Sequence, residues 1–93
     1  MNIPKKIKVG ARYYIVLLVD KIDENKPNDD DYTGLTTHTQ LTIKIKKGKQ
    51  EAMEHTFCHE LFHAFQCGLP EDLVESLAGN LHEFIKDNPG VFK

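Results

Sequence analysis

Residues 41–65, LTIKIKKGKQEAMEHTFCHELFHAF, read as a strand, a turn and a helix, and the rest of the fold can be built outward from them. Residues 41–46 alternate apolar and polar side chains, which is typical of a half-buried strand. The Gly-containing stretch at residues 47–49 predicts a turn. From residue 49 to residue 66 there is no proline, and apolar residues recur at helical spacing, so an amphipathic helix is expected.

This helix carries His59-Glu60-Leu61-Phe62-His63, which reads H-E-x-x-H. Residues four apart on a helix lie on the same face, about one turn from each other. Two imidazoles in this arrangement can bind one Zn²⁺, and Glu60 is then placed to activate a metal-bound water. The apolar stripe of the helix lies nearly opposite this pair, so the motif is expected to face a cleft. That stripe consists of Phe57, Leu61, Ala64 and Phe65.

A catalytic zinc usually takes a third protein ligand. If a second helix returns antiparallel from Pro70, it descends about 9 Å over six residues at about 1.5 Å per residue. That descent reaches the level of the histidine pair at residues 75–76 and favours Glu75 as the third ligand. Glu71 remains the alternative third ligand, although it is expected about one turn above the level of the histidine pair. If Glu71 binds the metal, Glu75 could hydrogen-bond a metal-bound histidine.

Two further histidines are weaker candidates. His55 lies one turn before His59 on the same helix, and three histidines in a line do not easily meet one ion tetrahedrally. We therefore expect His55 to line the cleft or to lie at the surface. His82 follows Glu75 by two turns and is expected behind the ligands or at the surface.

The chain before the motif predicts further strands. Residues 6–9 form a short extended piece stopped by Gly10, and residues 12–20, RYYIVLLVD, read as a buried strand. Residues 32–38 are a strand or lead into one. The outward lysines of residues 41–46 suit an edge strand. Residues 23–31 are a polar loop containing a proline.

A second helix is expected from about residue 70 to residue 86, after the break at Gly68-Leu69-Pro70. Its expected core face consists of Leu73, Val74, Leu77, Leu81, Phe84 and Ile85. The fold class that follows is α+β: a sheet of about three strands packed against the H-E-x-x-H helix and a following glutamate helix. Ninety-three residues are enough for a single domain over residues 1–93.

Composition limits the partners. The net charge is −2, and residues 1–50 carry 10 Lys and Arg against 6 Asp and Glu. Four of these lysines, Lys44, Lys46, Lys47 and Lys49, read as the solvated side of a strand and its turn. No motif indicates nucleic acid. Cys58 and Cys67 are too few for a disulfide framework and are expected to be reduced. With no signal peptide or membrane span in the pattern, we expect a cytoplasmic monomer or weak oligomer.

The run TFCHELFHAF, followed by EDLVESLAGNLHEFIKDNP, resembles small metallopeptidase-like proteins encoded by phages and prophages. It also resembles the minigluzincins, which are minimal domains of the gluzincin clan. Glu75-Ser76-Leu77-Ala78 matches the E-x-x-A of their second helix. The segment YTGLTTHTQLTIKI is similar to their Tyr-Gly strand region, with Thr33 inserted between Tyr32 and Gly34.

The resemblance implies zinc bound by His59, His63 and Glu75, with Glu60 as the general base. It also implies a latent form in which the C-terminal residues 89–93 fill the cleft. A phage-encoded chain of this kind would work in the cytoplasm of a bacterial host.

The expected function is therefore hydrolysis of peptide bonds through a zinc-activated water, with substrate extended along an edge strand at residues 41–46. No oxyanion-stabilising side chain can be assigned, because Arg12, Tyr13, Tyr14 and Tyr32 all precede the motif. The alternative is a catalytically inactive zinc-binding module that regulates a partner. A third hypothesis is a metal-free fold in which the histidines are coincidental.

Overall fold

The computed structural model describes residues 2–22, 33–65 and 68–91, and four strands and two helices follow one another within them. These are β1 (Lys6–Val9), β2 (Arg12–Val19), β3 (Gly34–Thr37), β4 (Thr42–Lys46), α1 (Gln50–Ala64) and α2 (Glu71–Asp87). The α+β class is confirmed, with one strand more than expected. The extra strand is β1, which pairs with β2 after a turn in which Gly10 adopts a φ of 61°. The expected polar loop at residues 23–31 lies outside the described residues.

The four strands form one mixed sheet in the order β1-β2-β4-β3. β1 and β3 run antiparallel to their neighbours, whereas β2 and β4 are parallel. The prediction that residues 41–46 form an edge strand is wrong, since β4 lies between β2 and β3. Its outward lysines reach water because one face of the sheet is uncovered. Among the described strands, the edges are β1 and β3.

The core lies on one face of this sheet. Tyr14, Val16, Ile43 and Ile45 project from β2 and β4 toward α1, where they pack with Phe57 and Ala64. The prediction of a buried strand over residues 12–20 holds for Tyr14 and Val16 of this face, whereas Leu18 is 44% exposed. On the other face of β2, Tyr13, Ile15 and Leu17 are 41–51% exposed, since no described helix covers them.

The second helix packs mainly against α1. It buries Val74, Ala78 and His82, but leaves Leu73, Leu77 and Phe84 41–48% exposed. The predicted core face of this helix is therefore wrong for these three residues, whereas Val74 is buried and Leu81 and Ile85 are half-buried. The side of α2 that contacts α1 carries two buried apolar side chains, Val74 and Ala78, together with His82 and acidic residues. Phe65, predicted for the core stripe of α1, is also 49% exposed.

Two sequence expectations concern thiols and membranes. Cys58 is free and 1% exposed, and burial raises the pKa of its thiol to about 11, so it is an inert core residue. Cys67 lies outside the described residues. Within the described part of the chain, no helix has the length and apolar character needed to cross a membrane.

A buried polar pair joins the two helices. Nε2 of His82 donates a hydrogen bond of 3.1 Å to Oε1 of Glu54, and both residues are less than a tenth exposed. Nε2 of Gln50 donates to the other carboxylate oxygen at 3.0 Å. Burial by itself raises the pKa of Glu54, but these two hydrogen bonds outweigh it and hold the pKa below its ordinary value. His82 is thus a structural residue of the helix interface.

Replacing Glu54 by Gln tests this pair. Because the folded pKa of Glu54 is depressed, its stabilising effect is present above the ordinary carboxylate pKa and is lost as pH falls through the folded value. Glu54→Gln should lower the free energy of unfolding by about 1 kcal/mol at pH 7. The difference from wild type should shrink in acid. Thermal unfolding at pH 7 and pH 3.5 measures this, with Glu83→Gln on the exposed side of α2 as the control. An equal loss at both pH values would contradict it.

Candidate metal centre

A cleft of about 630 Å³ opens along α1, between the edge strand β3 and α2. Gly34 lines it from β3, His55, His59 and Glu60 from α1, and Glu71 and Glu75 from α2. The fold produces this arrangement because the sheet and α2 pack on different sides of α1, and the histidine face of the helix lies between them. Of the predicted site, His59, Glu60 and Glu75 line this cleft, and His63 lies one helical turn after His59.

The two histidines of the motif converge. Nε2 of His59 lies 3.2 Å from Nε2 of His63. Together with Glu60, they form a group whose possible ligand atoms all lie within 4.8 Å of one another. A tetrahedral zinc with bonds of about 2.05 Å holds two imidazole nitrogens about 3.3 Å apart. The spacing of the pair therefore fits a single ion bound through both Nε2 atoms.

Glu71 faces the same two nitrogens. Its Oε1 lies 2.5 Å from Nε2 of His59, and its Oε2 lies 3.2 Å from Nε2 of His63. A carboxylate so placed completes the His₂Glu set that catalytic zinc sites use. Glu71 was expected about one turn too high. That expectation assumed a descent of six residues from the end of α1 to the level of the motif, whereas α1 ends at Ala64 and Glu71 already contacts His63.

Glu75 contacts the pair from the other side. Its Oε2 lies 2.7 Å from Nδ1 of His59, and its Oε1 lies 2.7 Å from Nε2 of His55. A carboxylate on Nδ1 fixes the imidazole so that Nε2 is free to bind a metal. The structure therefore brings both glutamates to His59, one on each ring nitrogen, and places His55 behind Glu75.

Both glutamates are held in their charged form. Burial raises the pKa of Glu71, but the hydrogen bond with His59 and the charges of the two motif histidines outweigh burial. The pKa of Glu71 is therefore below its ordinary value. The hydrogen bond with His55 is the main reason why the pKa of Glu75 is lowered. The cleft thus presents ionised carboxylates beside imidazoles, which is a donor set suited to a divalent cation.

Glu60 has a different environment. It is 6% exposed, and the hydroxyl of Thr36 on β3 donates a hydrogen bond of 2.8 Å to its Oε1. Burial raises the pKa of Glu60 above the ordinary value of 4.5, and the hydrogen bond from Thr36 and the neighbouring histidines offset this only in part. A carboxylate with a raised pKa at the edge of a cleft is suited to take up and release a proton.

The contact between β3 and α1 depends on Gly34. A Cβ at this position would lie 2.6 Å from Cγ2 of Thr56 and 2.9 Å from Cγ of Glu60. Only glycine allows the strand to approach the helix this closely. Gly34 and Thr36 were not predicted as site residues. A signal was present, because a glycine in a predicted strand indicates a close backbone approach, and a residue two positions later shares its face.

Several other expectations concern residues outside the cleft. Tyr14 is fully buried and its hydroxyl lies 3.0 Å from Nδ1 of His38, while Tyr13 lies on the uncovered face of the sheet. Neither lines the cleft, and Tyr32 lies outside the described residues. Of the tail expected to fill the cleft, residues 89–91 are exposed and do not line it. The final two residues are not described.

Comparison with known proteins adds no assignment. No protein-family model matches the chain, and no curated protein and no solved structure matches it. Any functional conclusion therefore depends on the arrangement of side chains in the cleft.

Replacing Thr36 by Val tests the link between the edge strand and Glu60. The hydroxyl stabilises the ionised carboxylate, so its removal should raise the pKa of Glu60 further above the ordinary value. Carbon-detected NMR titration of the glutamate carboxyl groups in the metal-free protein measures this. Thr37→Val, one residue along on the opposite face of β3, is the control and should leave the pKa of Glu60 unchanged. A pKa that falls or stays constant in Thr36→Val would contradict the role given to this hydroxyl.

Proposed function

We propose that this chain is a zinc-dependent hydrolase of the metallopeptidase type. The observation that carries the proposal is the convergence of the two Nε2 atoms of the motif, 3.2 Å apart, on the carboxylate of Glu71, with the buried Glu60 beside them. A structural metal site needs no carboxylate with a raised pKa next to its ligands. Such a group is what proton transfer during hydrolysis requires.

We assign the metal to His59, His63 and Glu71. In this assignment Glu75 accepts the Nδ1 proton of His59, which fixes the tautomer and orientation of the ring. Binding by Glu75 itself, as expected from the resemblance, is the competing assignment. The distances favour Glu71, because it faces both Nε2 atoms whereas Glu75 faces Nδ1.

The residues of the chain then have distinct roles in peptide hydrolysis. A zinc ion in this site would polarise the substrate carbonyl and lower the pKa of water. Glu60 takes a proton from the attacking water on its carboxylate and delivers it to the departing amine. Thr36 holds that carboxylate in place from the strand. The raised pKa of Glu60 makes its carboxylate a stronger base toward the proton of the attacking water than an ordinary carboxylate.

The substrate in this proposal is an extended peptide. β3 pairs with β4 on one side only, and it lies along the cleft beside Glu60. Its free edge can add a peptide strand through backbone hydrogen bonds. This replaces the expectation that residues 41–46 bind the substrate, since β4 is internal and has no free edge.

A second candidate is a zinc-binding module that does not cleave. It is favoured by the lining of the cleft, which contains no Tyr or Arg among the described residues to stabilise an oxyanion. Both candidates need the metal, and they differ in what Glu60 does.

Metal analysis tests the ligand assignment. Wild type purified without chelator should contain about one zinc per chain. Glu71→Gln should weaken zinc binding most, and Glu75→Gln should weaken it by about 10–100-fold, the usual effect of losing a residue that orients a ligand. Glu83→Gln, an exposed acid on the same helix, is the matched control. Competition with a chromophoric chelator gives the affinities.

The outcomes separate the alternatives. A larger loss in Glu75→Gln than in Glu71→Gln would make Glu75 the third ligand and Glu71 its neighbour. No zinc in the wild type, even after addition of zinc, would overturn both functional candidates and leave a metal-free fold.

Cleavage is tested with a peptide library read by mass spectrometry. Zinc-loaded wild type should cleave peptides, and Glu60→Gln should lower the rate by at least about 100-fold, within the range that general acid–base groups contribute. The zinc content of the variant should be unchanged. If zinc-loaded wild type cleaves nothing while binding zinc tightly, the non-cleaving module is the correct function.

A further inference from the structure

The uncovered face of the sheet is apolar in its centre and basic around it. Its apolar side chains are exposed by 41–51% and are Tyr13, Ile15, Leu17 and Leu35. The alternation of the strands puts four lysines on the same face, Lys6, Lys8, Lys44 and Lys46. Nζ of Lys6 lies 4.6 Å from the centre of the Tyr13 ring. No strand residue on this side, hereafter the open face, is acidic.

One side of the sheet is covered and the other is not. Here α1 covers one side, and no described element covers the other. A contiguous apolar patch bordered by charged side chains is typical of an interaction surface.

A second exposed surface lies on α2, facing away from α1. It carries Leu73, Leu77 and Phe84, which are 41–48% exposed. Asp87 lies one turn from Phe84 beside this stripe, and Asp72 and Glu83 lie on the remaining outward part of the helix. The basic residue of the helix, Lys86, points elsewhere, because its Nζ pairs with Glu51 of α1 at 2.8 Å. This surface, hereafter the outer face of α2, is therefore apolar and acidic.

We propose that the open face of one copy of this chain binds the outer face of α2 of a second copy. The two surfaces have opposite charge and each has an apolar stripe. Their lengths also agree, since the 17 residues of α2 span about 25 Å and the 8 residues of β2 about 26 Å. Docking would cover the exposed apolar side chains of the open face with a helix and give the sheet packing on both sides.

The same charges exclude the symmetric arrangements. Two open faces would bring lysines together, and two outer faces of α2 would bring carboxylates together. Within one chain α1 lies between the sheet and α2. The two complementary surfaces then lie on different layers of the molecule, with α1 between them. Association is head-to-tail, and each added copy leaves one surface of each kind free.

This association is independent of the metal centre. Glu71 and Glu75 lie on the side of α2 that contacts α1, and neither surface includes a residue of the cleft. Occupation of the outer face of α2 therefore leaves the proposed ligands in place.

Two variants with one altered surface each provide the test. Leu17→Lys adds a charge to the open face, and Leu77→Glu adds one to the outer face of α2; both leucines are 41% exposed. By analytical ultracentrifugation, wild type should exceed the mass of one chain increasingly with concentration and less at high salt. Each variant alone should be a monomer. Mixed together, they should form a complex of two chains that grows no further, because each keeps the surface that the other lacks.

Control variants carry the same charge changes away from both surfaces. Thr39→Lys in the turn after β3 and Lys49→Gln before α1 are exposed positions and should assemble like wild type. Circular dichroism establishes that all variants are folded. A wild type that stays monomeric at every concentration would overturn the proposal, as would variants that assemble like wild type or a mixture that remains monomeric.

Discussion

The approach of β3 to α1 is the constraint on which the site depends. With Gly34 in contact distance of Thr56 and Glu60, the edge strand lies directly against the helix. This position lets the hydroxyl of Thr36 reach the carboxylate of Glu60, which would otherwise be buried without a partner. Since burial raises the pKa of this carboxylate and the hydrogen bond lowers it, a shift of the strand that breaks the hydrogen bond raises the pKa of Glu60 further.

The helix α1 faces the sheet, α2 and the cleft, and a different set of its side chains points toward each. Phe57 and Ala64 join the sheet, Glu54 meets His82 on α2, and the histidines face the cleft between the two. A helix surrounded in this way has no fully solvated side, so some of its polar residues are buried and need fixed partners. Within the described residues, no buried side-chain polar atom lacks one.

Sequence reasoning identified the parts that depend on local spacing. The H-E-x-x-H pair, its helix and the break at Gly68 and Pro70 follow from helical periodicity and backbone preferences, and the structure contains them. The α+β class follows from the same patterns. The order of the strands does not follow from these patterns. The alternation in β4 shows which face of the strand is apolar but not which strands lie beside it.

The position of α2 could not be predicted for a related reason. Its apolar stripe suggested that Leu73, Leu77 and Phe84 face the core, which assumes that the core is the partner. In the structure the partner is α1, and the acidic residues of α2 are drawn to its histidines. The choice between Glu71 and Glu75 depends on how residues 68–70 connect the helices, and periodicity gives no information about a connection of this kind.

The weak apolar attachment of α2 has a consequence for how the fold opens. Among its described residues only Val74 and Ala78 are buried apolar side chains, and the remaining contacts with α1 are mainly between acids and histidines. Segments with few buried apolar contacts have the lowest free energies of local unfolding. The amide protons of α2 are then the first of the helical protons to exchange with solvent. An ion held between α1 and α2 must be released before the two helices separate. The exchange rate of the α2 amide protons therefore falls when the cleft is occupied, and it reports occupancy without any substrate.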